Sequence, residues 1–295
     1  LAKIKGQDLF QGDAFHTARW RYDVDLTAKR VGVIGTGATG VQVIPEVAKV
    51  AKELYVFQRT PSTVDVRDQR ETTDDEVERW SNELGWAAKR RERFAQIQDG
   101  RAAMKASDDF LSGKGDHYKE LKVHTTKLAP EERLQKQLDS NFRIMESIRA
   151  RVDAIVEDPA TAEALKPYYQ FGCKRPTFHD EFLPTFNLPH VTLVDTAPKG
   201  VEGVNETGIR HDGQQYDLDV IIYATGYEFM ATSTFNMVTG RGGETLLDKW
   251  SEDGTQTYLG VHSEGFPSLF IIMGPQSGGV GFYLMDGIYT QADHV

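Results

Sequence analysis

Val31-Gly32-Val33-Ile34-Gly35-Thr36-Gly37-Ala38-Thr39-Gly40 is the stretch on which the fold turns. Its first four residues form a short apolar run suited to a buried strand, and glycines follow at 35, 37 and 40 with G-x-G-x-x-G spacing. Apolar residues then recur at helical intervals (Val41, Ile44, Val47, Ala48, Ala51), and a second apolar run spans Leu54 to Phe57. Strand, glycine turn, helix and strand make one βαβ unit. Gly35 permits the tight turn, Gly37 lets the backbone approach a pyrophosphate, and Gly40 lets helix pack on strand. Phosphate would rest on the N–H groups of the helix start, with Thr36, Ala38 and Thr39 filling the turn between the glycines. Three glycines alone are weak; between a strand and a helix they point to a dinucleotide. Pro45 costs a helical hydrogen bond, but lies close enough to the helix start for the helix to be kept.

The end of the second strand selects the dinucleotide. A carboxylate there would accept the ribose 2′-hydroxyl of NAD. Here the strand ends Phe57-Gln58-Arg59-Thr60, without an acid. Arg59, with Thr60 beside it, can form charge-assisted bonds to a 2′-phosphate, each worth roughly 1.5–3 kcal/mol. That favours NADP over NAD by about 10- to 100-fold.

Working outward, residues 1–26 have no clear periodicity and read as a connecting segment. From about Asp68 to Lys166 the chain is rich in Glu, Lys, Arg and Ala, with apolar residues at helical spacing such as Leu134, Leu138, Phe142 and Met145. This reads as a helical insertion, with Pro130-Glu131-Glu132 as a helix start. Strands return after Pro167: Val191 to Val194, a hairpin around His211-Asp212-Gly213, Asp219 to Ala224, and Leu269 to Met273 closed by Gly274-Pro275. Asp217 and Asp219 have no assigned role. His179 and Asp180 are read as structural, because neighbours on a strand point opposite ways.

The 295 residues are 39% hydrophobic and 26% charged, as in a soluble globular protein with room for about two domains. Net charge is −10 and no basic cluster stands out, which argues against nucleic acid or anionic lipid as partner. No apolar run approaches the roughly 18 residues that cross a bilayer, and no secretory signal is seen, so a cytoplasmic location without membrane contact fits. The single Cys173 excludes an intrachain disulfide, a thiol redox pair and a Cys-based zinc site. Oligomeric state is not legible.

Residues 10–20, FQGDAFHTARW, place Phe10, Gly12, His16 and Trp20 at spacing F-x-G-x-x-x-H-x-x-x-W. By residue type alone this is most simply a packed, hydrogen-bonded His among aromatics. The spacing, just ahead of the glycine turn, resembles the fingerprint of Baeyer–Villiger monooxygenases. Arg21 stands where that family has Pro or Asp. N- or S-oxygenating flavin relatives lack the Trp, so Trp20 separates the two groups. Four further stretches, in the family's order, extend the resemblance over nearly the whole chain. VFQRTPSTVDVRD (56–68) is similar to members with large helical insertions that act on bulky or macrocyclic ketones. FGCKRPTFHDEFLPTFNLPHVTLVDT (171–196) resembles the return from that insertion, DVIIYATGYEF (219–229) the ATG-containing linker, and YLGVHSEGFPSLFIIMGPQSG (258–278) the segment lying against the flavin.

The resemblance implies an α/β flavoprotein with two dinucleotide-binding domains. Residues 1–26 would be the interdomain linker, 27–66 and 167–226 an NADP domain of Rossmann type, 67–166 its helical insertion, and 227–295 part of an FAD domain. It implies FAD and NADP as cofactors, and O2 with a ketone as substrates. The ketone would become an ester or lactone through a peroxyflavin. Arg175, in Cys173-Lys174-Arg175-Pro176, matches the family's catalytic Arg; a permanent cation stabilises both an anionic peroxide and a tetrahedral oxyanion. Lys174 matches the residue at the NADP phosphate, and His16 a residue with a conformational, supporting part in catalysis. Ala224-Thr225-Gly226 and Gly274-Pro275 end apolar runs where a cofactor backbone approach is expected. The alternatives are an N- or S-oxygenating enzyme and a non-catalytic NADP-binding piece. The chain starts without Met, its last residues GIYTQADHV read as helix, and it holds one glycine motif where the family has two. It is therefore expected to be part of a longer protein, and by itself neither to hold flavin nor to turn over.

Overall fold

The computed structural model describes residues 3–98, 129–227, 233–277 and 284–295. They fall into two compact units. The first comprises the described residues up to Arg70 and from 129 to Gly226; the second those from Glu71 to 98 and from Tyr227 onward.

In the first unit β1 (Asp13–His16) and β2 (Arg30–Ile34) lead into α1 (Ala38–Ala48) and β3 (Glu53–Gln58), followed by the short β4 (Val64–Asp65). In the second unit α2 (Asp74–Ser81) and α3 (Trp86–Gln98) follow. The first unit resumes with α4 (Pro130–Ile155), α5 (Pro159–Leu165), β5 (Thr177–Phe178), α6 (Phe182–Thr185) and β6 (Val191–Asp195). A three-stranded antiparallel meander, β7 (Gly203–Val204), β8 (Gly208–His211) and β9 (Gln214–Asp217), leads to β10 (Val220–Tyr223). The second unit closes with α7 (Ser233–Asn236), α8 (Leu246–Asp253) and α9 (Leu284–His294).

The main sheet has order β1-β10-β2-β3-β6 and is parallel throughout. Parallel strands must be covered on both faces, and side chains alternate between them. Val31, Val33, Leu54, Val56, Val220 and Ile222 point to the helical side, with α1, α4 and α6. Ile34, Phe57, Ile221 and Tyr223 point to the opposite side, under the meander. The hairpin turn at Asp212-Gly213 has positive φ at both residues (48° and 73°), the primed geometry that matches strand twist. Pro45 stays buried within α1, and Pro130 opens α4 as its first residue.

Three sequence expectations change. The segment 1–26 is not all connection, since Asp13–His16 pairs along β10 as the sheet's edge strand. Its four residues are too few to declare a period, and their partner lies some two hundred positions away. Leu269 to Met273 forms no strand; its amides bond singly to Phe266 O (3.1 Å, from Leu269), Val261 O (2.8 Å, from Ile271) and the Gln291 side chain (2.7 Å, from Met273), and a run without a ladder partner does not extend. On α4 the buried stripe is Ile144, Met145, Ile148 and Val152, whereas Leu134, Leu138 and Phe142 are exposed.

At the amino end of the sheet the Asp219 carboxylate accepts from Arg30 N (2.8 Å), Nη2 (2.8 Å) and Nε (3.2 Å). The guanidinium bonds, ahead of the backbone bond, pull the Asp219 pKa down to about 2. A carboxylate whose folded pKa is depressed stabilises the fold above its unfolded pKa and loses that effect as pH falls through the folded value. Asp219→Asn is therefore expected to flatten the acid limb of stability between about pH 4 and pH 2. The pair is about one-third exposed, so the effect is on the order of 1 kcal/mol. Denaturant titrations across that range, parent against variant, check it.

Candidate functional site

β2 is where the strand order reverses: β3 and β6 lie to one side, β10 and β1 to the other. In open parallel sheets the crevice beyond the carboxyl ends of such strands is where ligands bind. The two sequence motifs meet there, because Ile34 pairs with Tyr223 and the glycine turn and Ala224-Thr225-Gly226 leave adjacent strands side by side.

The three glycines of the turn differ physically. At Gly35, φ is +105° and a Cβ would lie 2.6 Å from Ala224 O. At Gly40 a Cβ would lie 2.2 Å from Gly35 O. At Gly37 a Cβ would meet nothing within 4 Å, and no side chain caps the α1 N-terminus that Gly37 begins. The first two glycines are demanded by the fold; the third faces an open cradle beside unclosed helix N–H groups from Ala38 onward, suited to a pyrophosphate. Gly40→Ala should lose about 1–3 kcal/mol of stability, since backbone must shift to admit the methyl. Gly37→Ala should fold within about 1 kcal/mol of the parent, yet bind NADP at least tenfold more weakly. Unfolding curves and nucleotide titrations of both variants separate the two effects.

Thr36 does not face the cradle. It is 3% exposed, and its hydroxyl donates to Gln58 Oε1 (3.1 Å) or Thr60 O (3.3 Å), while its carbonyl accepts from Ser62 Oγ (2.5 Å). Gln58 is buried and donates through Nε2 to Ala164 O (2.7 Å). These bonds fix the loop that leaves β3 and place Arg59 at the surface, with Thr60 half-buried behind it. Gly200 lies beside the Arg59 stem, close enough that a Cβ there would meet Cδ at 3.8 Å.

Lys174 comes to the same place from a distant loop. Its ammonium sits 5.4 Å from the Tyr169 ring centre, and its pKa is lowered by burial first and by the nearby Arg59 charge second. Arg175 is exposed beside it. Among the described residues, no ion pair involves Arg59, Lys174 or Arg175. Unneutralised cations converging on one locus are costly unless an anion completes them. The signal missed in the sequence is Tyr169, which joins the two loops.

The four fingerprint residues all bind β1 to its surroundings. Phe10 packs on the meander-side cluster. A Cβ at Gly12 would lie 2.5 Å from Asp219 O. Trp20 meets Phe15 edge to face with centroids 5.1 Å apart. His16 Nδ1 accepts from Ala18 N (3.1 Å), so Nε2 carries the proton and donates to Gly226 O (3.0 Å). Gly226 needs its φ of +83° to present that carbonyl. Among the described residues the buried Thr225 hydroxyl has no partner, a polar atom at the crevice left for something else to satisfy. Gly274 and Pro275 belong to the second unit. There Gly274 is buried, with Ile271 Cγ2 2.4 Å from where a Cβ would be, so local packing already requires the glycine.

A parallel sheet with a glycine turn and a second glycine strand end at its point of reversal defines a dinucleotide-binding α/β unit. No family model matches the chain. Individual proteins do. It is 43% identical to a Baeyer–Villiger monooxygenase of Streptomyces coelicolor, over 94% of this chain and 48% of that protein. It also superposes on the polycyclic ketone monooxygenase of Thermothelomyces thermophila with a TM-score of 0.82 and 38% identity, over 99% of this chain and 50% of that one. OTEMO, solved in complex with FAD and NADP, gives a TM-score of 0.76 at 32% identity, over 99% and 56%. The chain belongs to the Baeyer–Villiger monooxygenase family and has the α/β fold of its flavoprotein structures. It spans about half the length of the curated relatives it matches. Among the described residues no helix is long and apolar enough to cross a membrane.

Proposed function

We propose that the whole protein uses NADPH, FAD and O2 to convert a ketone into an ester or lactone in the cytoplasm, and that this chain supplies its NADP site. The observation that carries the reading is that Tyr169 joins the Arg59 and Lys174 loops, while Thr60 and Ser62 bond Thr36 in the turn that leads to the uncapped α1 N-terminus. Arg59, Thr60 and Lys174 receive the 2′-phosphate, which gives the two cations the anion they lack. The backbone from Gly35 to Gly40, including Ala38 and Thr39, receives the pyrophosphate. The Ala224-Thr225-Gly226 segment lines the other wall, where the unpartnered Thr225 hydroxyl can bond the cofactor.

FAD is the group that would activate oxygen. This chain has one G-x-G-x-x-G, here given to NADP. Gly274 and Pro275 are assigned to the FAD side, with 227–295 as part of an FAD domain, 67–166 as the insertion and the residues of 1–26 outside β1 as the connection between domains. Arg175 holds its positive charge toward the reacting oxygen atoms. His16 acts on geometry: its Nε2–H holds the Gly226 carbonyl, so the walls of the crevice keep their spacing. The test is product analysis of the whole protein with NADPH and a panel of bulky ketones, amines and sulfides. Ester or lactone supports the reading; N- or S-oxide alone, or no oxidation, overturns it.

A further inference from the structure

We infer that Tyr169 is the positioning residue that holds Arg59 and Lys174 together, and so sets the preference for a nucleotide carrying a 2′-phosphate. The inference rests on the assignment of that phosphate to the two cations. Tyr169 follows α5, far in sequence from the loop that leaves β3. Its hydroxyl donates to Pro61 O (3.0 Å) and accepts from Thr63 N (3.1 Å), so one oxygen bridges two backbone groups of the Arg59 loop. Its ring lies beneath the Lys174 ammonium, 5.4 Å from the centre, within cation–π range. One side chain therefore touches both cation-bearing loops.

The alternatives for this linkage are limited. Beyond Thr63, β4 and β5 pair only through Val64↔Thr177 and Asp65↔Phe178, with Thr177 N and Oγ1 both donating to Thr63 O (3.0 and 2.6 Å). That ladder fastens the far ends of the two loops, past Arg59 on one and past Lys174 on the other. At the cation end, Gln58 ties the end of β3 to Ala164 O (2.7 Å) ahead of the Lys174 loop, and Tyr169 is the side chain that touches both the Arg59 loop and the Lys174 ammonium, bringing together charges that repel. Arg59 already disfavours the proton on Lys174, so without the bridge the two heads are driven apart. A phosphate that needs both then meets a site that must first be reassembled, a cost that preorganisation removes. Adenine, ribose and 5′-phosphate do not need both, so the effect is confined to the 2′-position.

Calorimetric titration of the full chain with adenosine 2′,5′-bisphosphate and with AMP tests this, because their affinity ratio isolates the 2′-phosphate. Tyr169→Phe keeps the ring and removes the bridge; the ratio is expected to fall about 5- to 10-fold, with AMP affinity changed less than 2-fold. Tyr169→Leu, lacking the ring as well, should lower it further. Should Tyr169→Phe fail to fold, Tyr169→His, able to keep one of the two backbone bonds, should give an intermediate ratio. A purely structural role would weaken both ligands equally, and that result, or an unchanged ratio, overturns the inference. Arg59→Ala run in parallel distinguishes the levels. If it collapses the ratio while Tyr169 variants do not, the phosphate assignment stands and the Tyr169 role is lost. If Arg59→Ala leaves the parental ratio, or the chain does not prefer the bisphosphate, the assignment and the inference fail together.

Discussion

Arg175→Ala in the whole protein is expected to lower ester formation from a ketone by at least about 10²–10³-fold, the usual loss when a fixed charge opposite a developing oxyanion is removed. NADPH oxidation should continue, because hydride delivery does not depend on that charge. The side chain is exposed and, among the described residues, without an ion-pair partner, so its loss leaves no buried group stranded. Stability should hold within about 0.5 kcal/mol. Stopped-flow reduction rates alongside product quantification read the two quantities separately. Ester formed at the parental rate would remove Arg175 from the reaction; reduction lost in the same proportion would move it to nucleotide binding.

Arg59→Ala is the second large effect. The guanidinium has no carboxylate partner among the described residues, and its loop is held by Thr36, Gln58 and Tyr169 rather than by Arg59 itself. Removing it should leave the fold intact and remove one or two charge-assisted bonds. NADPH affinity should fall roughly 10- to 100-fold while use of NADH barely changes. Steady-state kinetics with both nucleotides give the ratio. Equal losses with both would place Arg59 away from the 2′-phosphate.

How much of this could be read in the residues depends on how local each determinant is. The β2–α1–β3 unit was legible because period, glycine spacing and strand end all lie within thirty residues. Arg59 was legible for the same reason, standing where the nucleotide-selecting residue of such a unit must stand. Lys174 and Arg175 were reached through family resemblance, since nothing in a Lys-Arg pair tells where a loop will fold. The Asp13–His16 strand carries no local signal, because its reason to be extended is the distant β10. Leu269 to Met273 failed in the opposite sense, having the strand composition without a ladder. Thr36 lies in the cradle turn by its backbone, but a hydroxyl between glycines can turn inward as easily as outward, and the buried amide of Gln58 turns this one inward. Tyr169 gave no signal at all: its function is two bonds to backbone over a hundred positions away.

The parallel pairing of β1 with β10 has a consequence for how the polypeptide is made. A ribosome releases Asp13 about two hundred residues before Val220. At typical synthesis rates the first strand waits roughly 10–40 s for its partner. During that interval Phe15 and Trp20 have no sheet to cover, and the nascent segment is a candidate for chaperone capture. An arrest placed just after β9 should yield a ribosome-bound chain in which residues 13–20 are protease-sensitive, and one placed well past β10 should protect them.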